Sequence, residues 1–157
     1  LLSVLGIACL LVAWRWKRHR DRLKILAQIQ KRTTGSNPVV QFHRDLRILT
    51  RKAGVHDHLE NLAIPPKEYL RELRRISEVY WGQKYKVALL DQPSELLTKE
   101  FRSYAPKIYI RYKEELKFWN KRWQRLLDTA EIAVPEDFVD MTMETRNLVE
   151  KMGEEEL

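Results

Sequence analysis

The chain has 157 residues, room for one domain and an appendage, and its 29 Lys and Arg against 22 Asp and Glu give a net charge of +7. That balance favours anionic partners, either a lipid surface or nucleic acid. The single cysteine, Cys9, excludes an internal disulfide and a thiolate zinc site, and five glycines leave little for a glycine-rich phosphate loop or a turn-rich all-β fold.

Charge is segregated along the chain. From Arg15 to Lys52 there are 12 basic and 2 acidic residues, whereas from Glu131 to Leu157 there are 2 basic and 9 acidic. Residues 1–14, LLSVLGIACLLVAW, carry no charge, and RWKRHRDR follows. A spanning helix needs about 20 apolar residues, so this run reads as the end of a transmembrane helix over 1–16. The chain does not begin with Met, so Leu1 is expected to lie within a longer protein or behind a removed leader. Trp14 and Trp16, interleaved with Arg15, Lys17, Arg18 and Arg20, have the composition of a membrane-interface belt. The cationic flank places everything after residue 16 on the cytoplasmic or equivalent side. The basic stretch 15–32 is expected to meet anionic lipid headgroups.

Residues 17–36 then form a basic juxtamembrane helix and a linker, with Thr33-Thr34-Gly35-Ser36-Asn37 as the break. Asn37-Pro38 reads as a cap and first helical residue, Val39, Phe42, Leu46 and Leu49 as an apolar stripe, and Gly54 as the stop. Pro65-Pro66 opens the next helix. Tyr69, Leu73, Ile76 and Tyr80 form its stripe, while Arg71, Glu72, Arg74, Arg75 and Glu78 are expected on its wet side. Gly82 weakens its end. Ser94 is placed to cap a short helix holding Leu97, Phe101 and Tyr104.

Pro106 starts the longest helix of the bundle, with Ile108, Tyr112, Leu116, Trp119, Trp123 and Leu126 on one face. Trp119 and Trp123 are expected to be buried against the first or second stripe. Tyr109 and Phe118 fall off that face and are candidates for contact with a partner. Pro135 opens a final helix whose Phe138, Met141, Thr145, Leu148 and Met152 keep the spacing of a coiled-coil seam. It must dock on its own domain or on a partner helix, so Phe138, Met141, Leu148 and Met152 join the partner-binding candidates. The fold class is all-α, a bundle of four or five helices after the anchor. Its divisions are a helical domain over 37–130 and a docking helix with an acidic tail over 131–157.

Chemistry is sparse. His56 and His58 flank Asp57, but a zinc site needs a third ligand and supporting contacts. Glu114 and Glu115 are adjacent and point about 100° apart on a helix, so they do not face one substrate. Ser94 and Ser103 have no base at a recognisable spacing. No catalytic residue, metal ligand or cofactor is therefore expected.

The run FHRDLRILTRKAGV…PPKEYLRELRRISEVYWGQKY, from Phe42 to Tyr85, combines an Ala-Gly helix end, a Pro-x-Glu-Tyr start and a Trp-Gly ending. In these features it resembles the cytoplasmic helical tails that end some bacterial transglutaminase-like membrane proteins. The resemblance implies a non-catalytic helical tail and brings no site residues.

The leading expectation is a non-enzymatic, membrane-anchored subunit or tail that docks a protein partner in a membrane complex. The alternative is a membrane-tethered nucleic-acid binder. It would stack bases on aromatics within 102–125 and hold phosphates with the cations among them.

Overall fold

The computed structural model describes residues 2–33, 35, 37–55 and 62–154. Among these residues there are six helices and no strand: α1 (Leu2–Arg32), α2 (Pro38–Ala53), α3 (Pro66–Tyr85), α4 (Leu96–Tyr104), α5 (Pro106–Asp128) and α6 (Pro135–Gly153). The all-α reading holds, with five helices after the first. His56 and His58 lie outside the described residues.

Most boundaries follow local chemistry. The Asn37 side chain accepts the Val39 N–H at 3.0 Å, and Pro38, which has no N–H to satisfy, takes the first position of α2. Gly54 ends α2 in the left-handed region at φ 67°, where its N–H and that of Val55 reach the carbonyls of Arg51 and Thr50. Pro66, Pro106 and Pro135 each open a helix. Ser94 departs from expectation. Its hydroxyl donates to Gln124 of α5 at 3.2 Å, so it ties two helices together instead of capping α4.

One cluster joins α2 to α6. Phe42, Leu46, Leu49 and Ala53 cover one side of α3, and α5 and α6 cover the other. Helix α3 is therefore central and buries more than a single stripe, including Leu70, Trp81, Arg74 and Glu78. The expected wet side is corrected for the last two. Their Nε and carboxylate pair at 2.9 Å inside the bundle, and the Arg74 guanidinium lies over the rings of Trp119 and Trp123 at 5.5 and 4.4 Å.

The two indoles behave as expected. Trp119 stacks edge-on against Trp81 with centroids 5.2 Å apart, and Trp123 donates Nε1–H to the Leu70 carbonyl at 2.9 Å. Along α5 the buried face is Ala105, Tyr109, Tyr112, Leu116, Trp119, Trp123 and Leu126. Steps of four and three residues place Tyr109, not Ile108, on the core side. The sequence Val87-Ala88-Leu89-Leu90, for which no element was expected, is a fully buried non-helical strap between α3 and α4.

Helix α6 docks on its own bundle. Phe138, Met141, Val149 and Met152 are buried in the common core. Hydroxyl relays fix the register. Tyr69 donates to Thr142, whose hydroxyl donates to the Phe138 carbonyl. Trp119 donates to Thr145 at 2.9 Å, whose hydroxyl donates to the Met141 carbonyl. Tyr85 and Tyr112 donate to the carbonyls of Met152 and Lys151 near the helix end. An apolar seam alone permits sliding by a turn; these bonds each have one matching position.

Helix α1 is continuous from an exposed apolar start to a packed end. Among the described residues no helix is long and apolar enough to cross a membrane. Residues 2–16 are helical, but their apolar run stops at Trp14 and cations from Arg15 onward interrupt any longer window. At the other end Ile29 is buried with Val79 and Leu90, and its Cδ1 would lie 2.4 Å from a Cβ added at Gly82. The glycine expected to weaken α3 thus creates the notch that seats α1. Gln41 donates its side-chain amide to the Arg32 carbonyl at 3.0 Å, which closes the last turn of α1.

Candidate functional site

Two surfaces hold the residues singled out from the sequence. The first is the N-terminal half of α1. Trp14, Arg15, Trp16, Lys17, Arg18 and Arg20 are all exposed. The helical i, i+4 spacing lays Arg18 over the Trp14 ring and Arg20 over the Trp16 ring, each at 5.4 Å. N-terminal to them, Val4, Leu5, Ile7, Leu10, Leu11 and Val12 project large aliphatic side chains into solvent. No other part of the described structure exposes so long a run of aliphatics.

One turn further along α1, the chain grips the bundle. Arg22 donates to the Lys86 carbonyl, sits over the Tyr104 ring at 3.3 Å, and lies 3.7 Å from the Glu100 carboxylate. Lys86 has φ 59°, so the α3 C-terminus turns in the left-handed region and presents that carbonyl to α1. A groove runs between α1 and α4, with Trp14, Lys17 and Arg18 on one wall and Leu96, Glu100 and Tyr104 on the other.

The second surface is the outer face of α5. Phe118 is 62% exposed, beside Lys121, Arg122 and Arg125. Arg122 is held by Glu144 and approaches Asp140 at 4.0 Å, so part of this charge is neutralised by α6. Ile110 is exposed on the same helix.

The other sequence-predicted partner contacts lie inside the chain. Tyr109 is buried beneath the guanidinium of Arg102, which lies 5.5 Å from its ring. Phe138, Met141, Leu148 and Met152 are buried inside the chain, where its own aromatics and aliphatics occupy the seam. Of the six partner candidates, only Phe118 is available at the surface. The sequence reading gave no site role to Arg22, Glu100, Tyr104 or Ile29, and took Gly82 only as weakening its helix. A glycine directly after a tryptophan inside a helical pattern was the one legible signal of close approach.

Among the described residues, the buried carboxyl with a strongly shifted pKa is that of Glu78. Burial pushes its carboxyl from the ordinary 4.5 up to about 7, against the charge and hydrogen bond of Arg74. A carboxylate perturbed in this way marks many active sites. Here, however, it is 3% exposed and enclosed by side chains of its own core, so it has no path to a substrate. The folded chain holds this proton after the unfolded chain has released it. Its contribution to stability is therefore full below about pH 4.5 and is lost as the pH rises towards 7. A denaturant series from pH 4 to 8 should show wild type losing up to about 3 kcal/mol relative to Glu78→Gln across that window. Parallel profiles for the two proteins would refute the assignment.

Among the described residues no group of three or more His, Cys, Asp or Glu converges on a point that would hold a metal. Comparison with protein-family models, with curated proteins and with solved structures found no match to this chain.

Proposed function

We propose that this chain is a non-enzymatic, membrane-anchored helical module. Its N-terminal helix holds it at a bilayer, residues after 16 lie on the cytoplasmic or equivalent side, and its bundle presents a surface to a protein partner in a membrane complex. The observation that carries the reading is the composition and continuity of α1. A solvent-exposed aliphatic run passes without a break into a Trp–cation belt and then into a helix clamped on the bundle.

Magnitudes favour insertion over surface charge. Burying an aliphatic side chain contributes about 1.5–3 kcal/mol. Six of them outweigh cations that each contribute about 1 kcal/mol near an anionic surface. Phe118 and Ile110 on α5, with Ile132 in the turn that follows it, are the best-exposed apolar side chains for a partner on the bundle itself.

Vesicle flotation tests the anchor. The full chain should float with neutral phosphatidylcholine vesicles, and should still do so at 1 M salt, where charge attraction is screened within about 3 Å. A chain lacking residues 2–14 should stay at the bottom of the gradient. Full-length protein that remains unbound, or that is released by salt, would overturn the reading.

The second reading, nucleic-acid binding, draws on Phe118 standing exposed among Lys121 and Arg125. Its signature is affinity for single strands that collapses as salt rises.

A further inference from the structure

We propose that the groove between α1 and α4 binds the phosphate of one anionic phospholipid, making the bundle part of a discrete lipid site and not only cargo on a basic helix. This rests on the membrane reading above and deepens it.

The groove encloses about 330 Å³, at the small end of the roughly 300–1,000 Å³ range of ligand clefts. Its charge is arranged by helix phase. Lys17, Arg18 and Arg22 of α1 line it, whereas Arg15, Arg20 and Lys24 of the same helix do not. Arg22 is committed to Glu100, Tyr104 and the Lys86 carbonyl, and so sets the shape of the wall. Asp21 also lines the groove and offsets one positive charge. Among the described residues no carboxylate pairs with Lys17 or Arg18, so two cations face one acid, with the Arg22–Glu100 pair neutral beside them.

The choice of a lipid over free phosphate follows from what continues the groove. Leu10, Trp14 and Arg18 recur every four residues on one side of α1, and Ile7 and Leu11 lie beside that line. Lys17 and Arg18 are adjacent, so their Cα–Cβ bonds diverge, but both long stems line the groove, and a phosphate held by their heads would leave its acyl chains lying along Leu10 and Leu11, which are exposed. Trp14 and Tyr104 supply amphipathic rings at the level where headgroup meets chain. Inorganic phosphate would gain nothing from that stripe.

Charge-matched variants separate a site from a diffuse attraction. The full chain, held in neutral detergent, is titrated with dihexanoyl phosphatidic acid, dihexanoyl phosphatidylcholine and inorganic phosphate, with native mass spectrometry giving the stoichiometry. One phosphatidic acid should bind per chain, and more tightly than the other two probes. The double variant Lys17→Gln/Arg18→Gln should weaken it at least about tenfold. The double variant Arg15→Gln/Arg20→Gln, of equal net charge, should change it less than about twofold. Equal losses in both variants, or no saturable binding, would overturn the site. Inorganic phosphate binding as tightly as phosphatidic acid would overturn the lipid as its source. Because the flotation assay uses neutral vesicles, a chain that floats but fails this titration keeps its anchor and loses only the groove.

Discussion

Trp119→Ala should destabilise the chain by about 3–5 kcal/mol, the usual range for removing a buried tryptophan. Trp119 is 2% exposed, and its ring meets three kinds of neighbour at once. Trp81 stacks on it edge-on, the Arg74 guanidinium lies over it, and its Nε1–H is spent on Thr145 of α6. Truncation leaves a cavity at the junction of α3, α5 and α6 and withdraws an aromatic face from a buried cation. Against a total stability of about 5–15 kcal/mol for a domain, the loss is a large fraction. Trp119→Phe keeps most of the volume and should recover more than half of it. Urea unfolding of the three proteins, compared at constant slope, measures the effect. A penalty under 1 kcal/mol for the alanine variant would mean that this junction is not packed as described.

Leu148→Asp should have an effect at least as large, by another route. Leu148 is 6% exposed on the seam of α6, between the turns that carry Thr145 and Met152. An ionised carboxylate there faces apolar side chains, at a cost of several kcal/mol unless the helix leaves. Leaving is itself expensive, because Phe138, Met141, Val149 and Met152 would come out of the common core together. The expected result is release of α6 with collapse of the bundle, seen as rapid proteolysis within 131–154 and loss of cooperative unfolding. Glu154→Gln, at an exposed position, serves as the control and should change little. A Leu148→Asp protein that unfolds cooperatively near the wild-type midpoint would show that α6 is peripheral.

How far the sequence could be read is visible in these two residues. Trp119 was legible because its helix carries a long stripe with proline at its start, and periodicity alone orients it. Leu148 was legible as a buried position but not as to what buries it. A seam of Phe138, Met141, Thr145 and Leu148 specifies a groove and says nothing of which chain supplies it. The deciding residues, Tyr69, Tyr85, Tyr112 and Trp119, are far away in sequence and act through hydroxyl and indole hydrogens.

Arg74 and Glu78 were misplaced for a related reason. Their spacing is that of an ordinary surface pair on a helix, and only the central position of α3 takes them inside. Tyr109 and Ile108 differ by a single residue of phase, and continuing the four-three rhythm back to Ala105 would have chosen between them. At the candidate site, the Trp–cation belt of α1 was plain from composition. The opposite wall of the groove was not, because Glu100 and Tyr104 meet α1 only through the fold.

The seating of Ile29 in the Gly82 notch constrains how this chain tolerates insertions and deletions. Each residue of α1 contributes about 1.5 Å of length and about 100° of rotation. On the membrane reading, one residue added between Trp16 and Arg22 would turn the whole bundle by more than a quarter circle about α1 and carry Phe118 to a different bearing over the bilayer. The segment at 33–37 has no such leverage, since it joins α1 and α2 after both are fixed on α3. Length changes there would leave the bearing untouched, so two neighbouring stretches of one chain would follow opposite rules: one counted to the residue, the other free to drift.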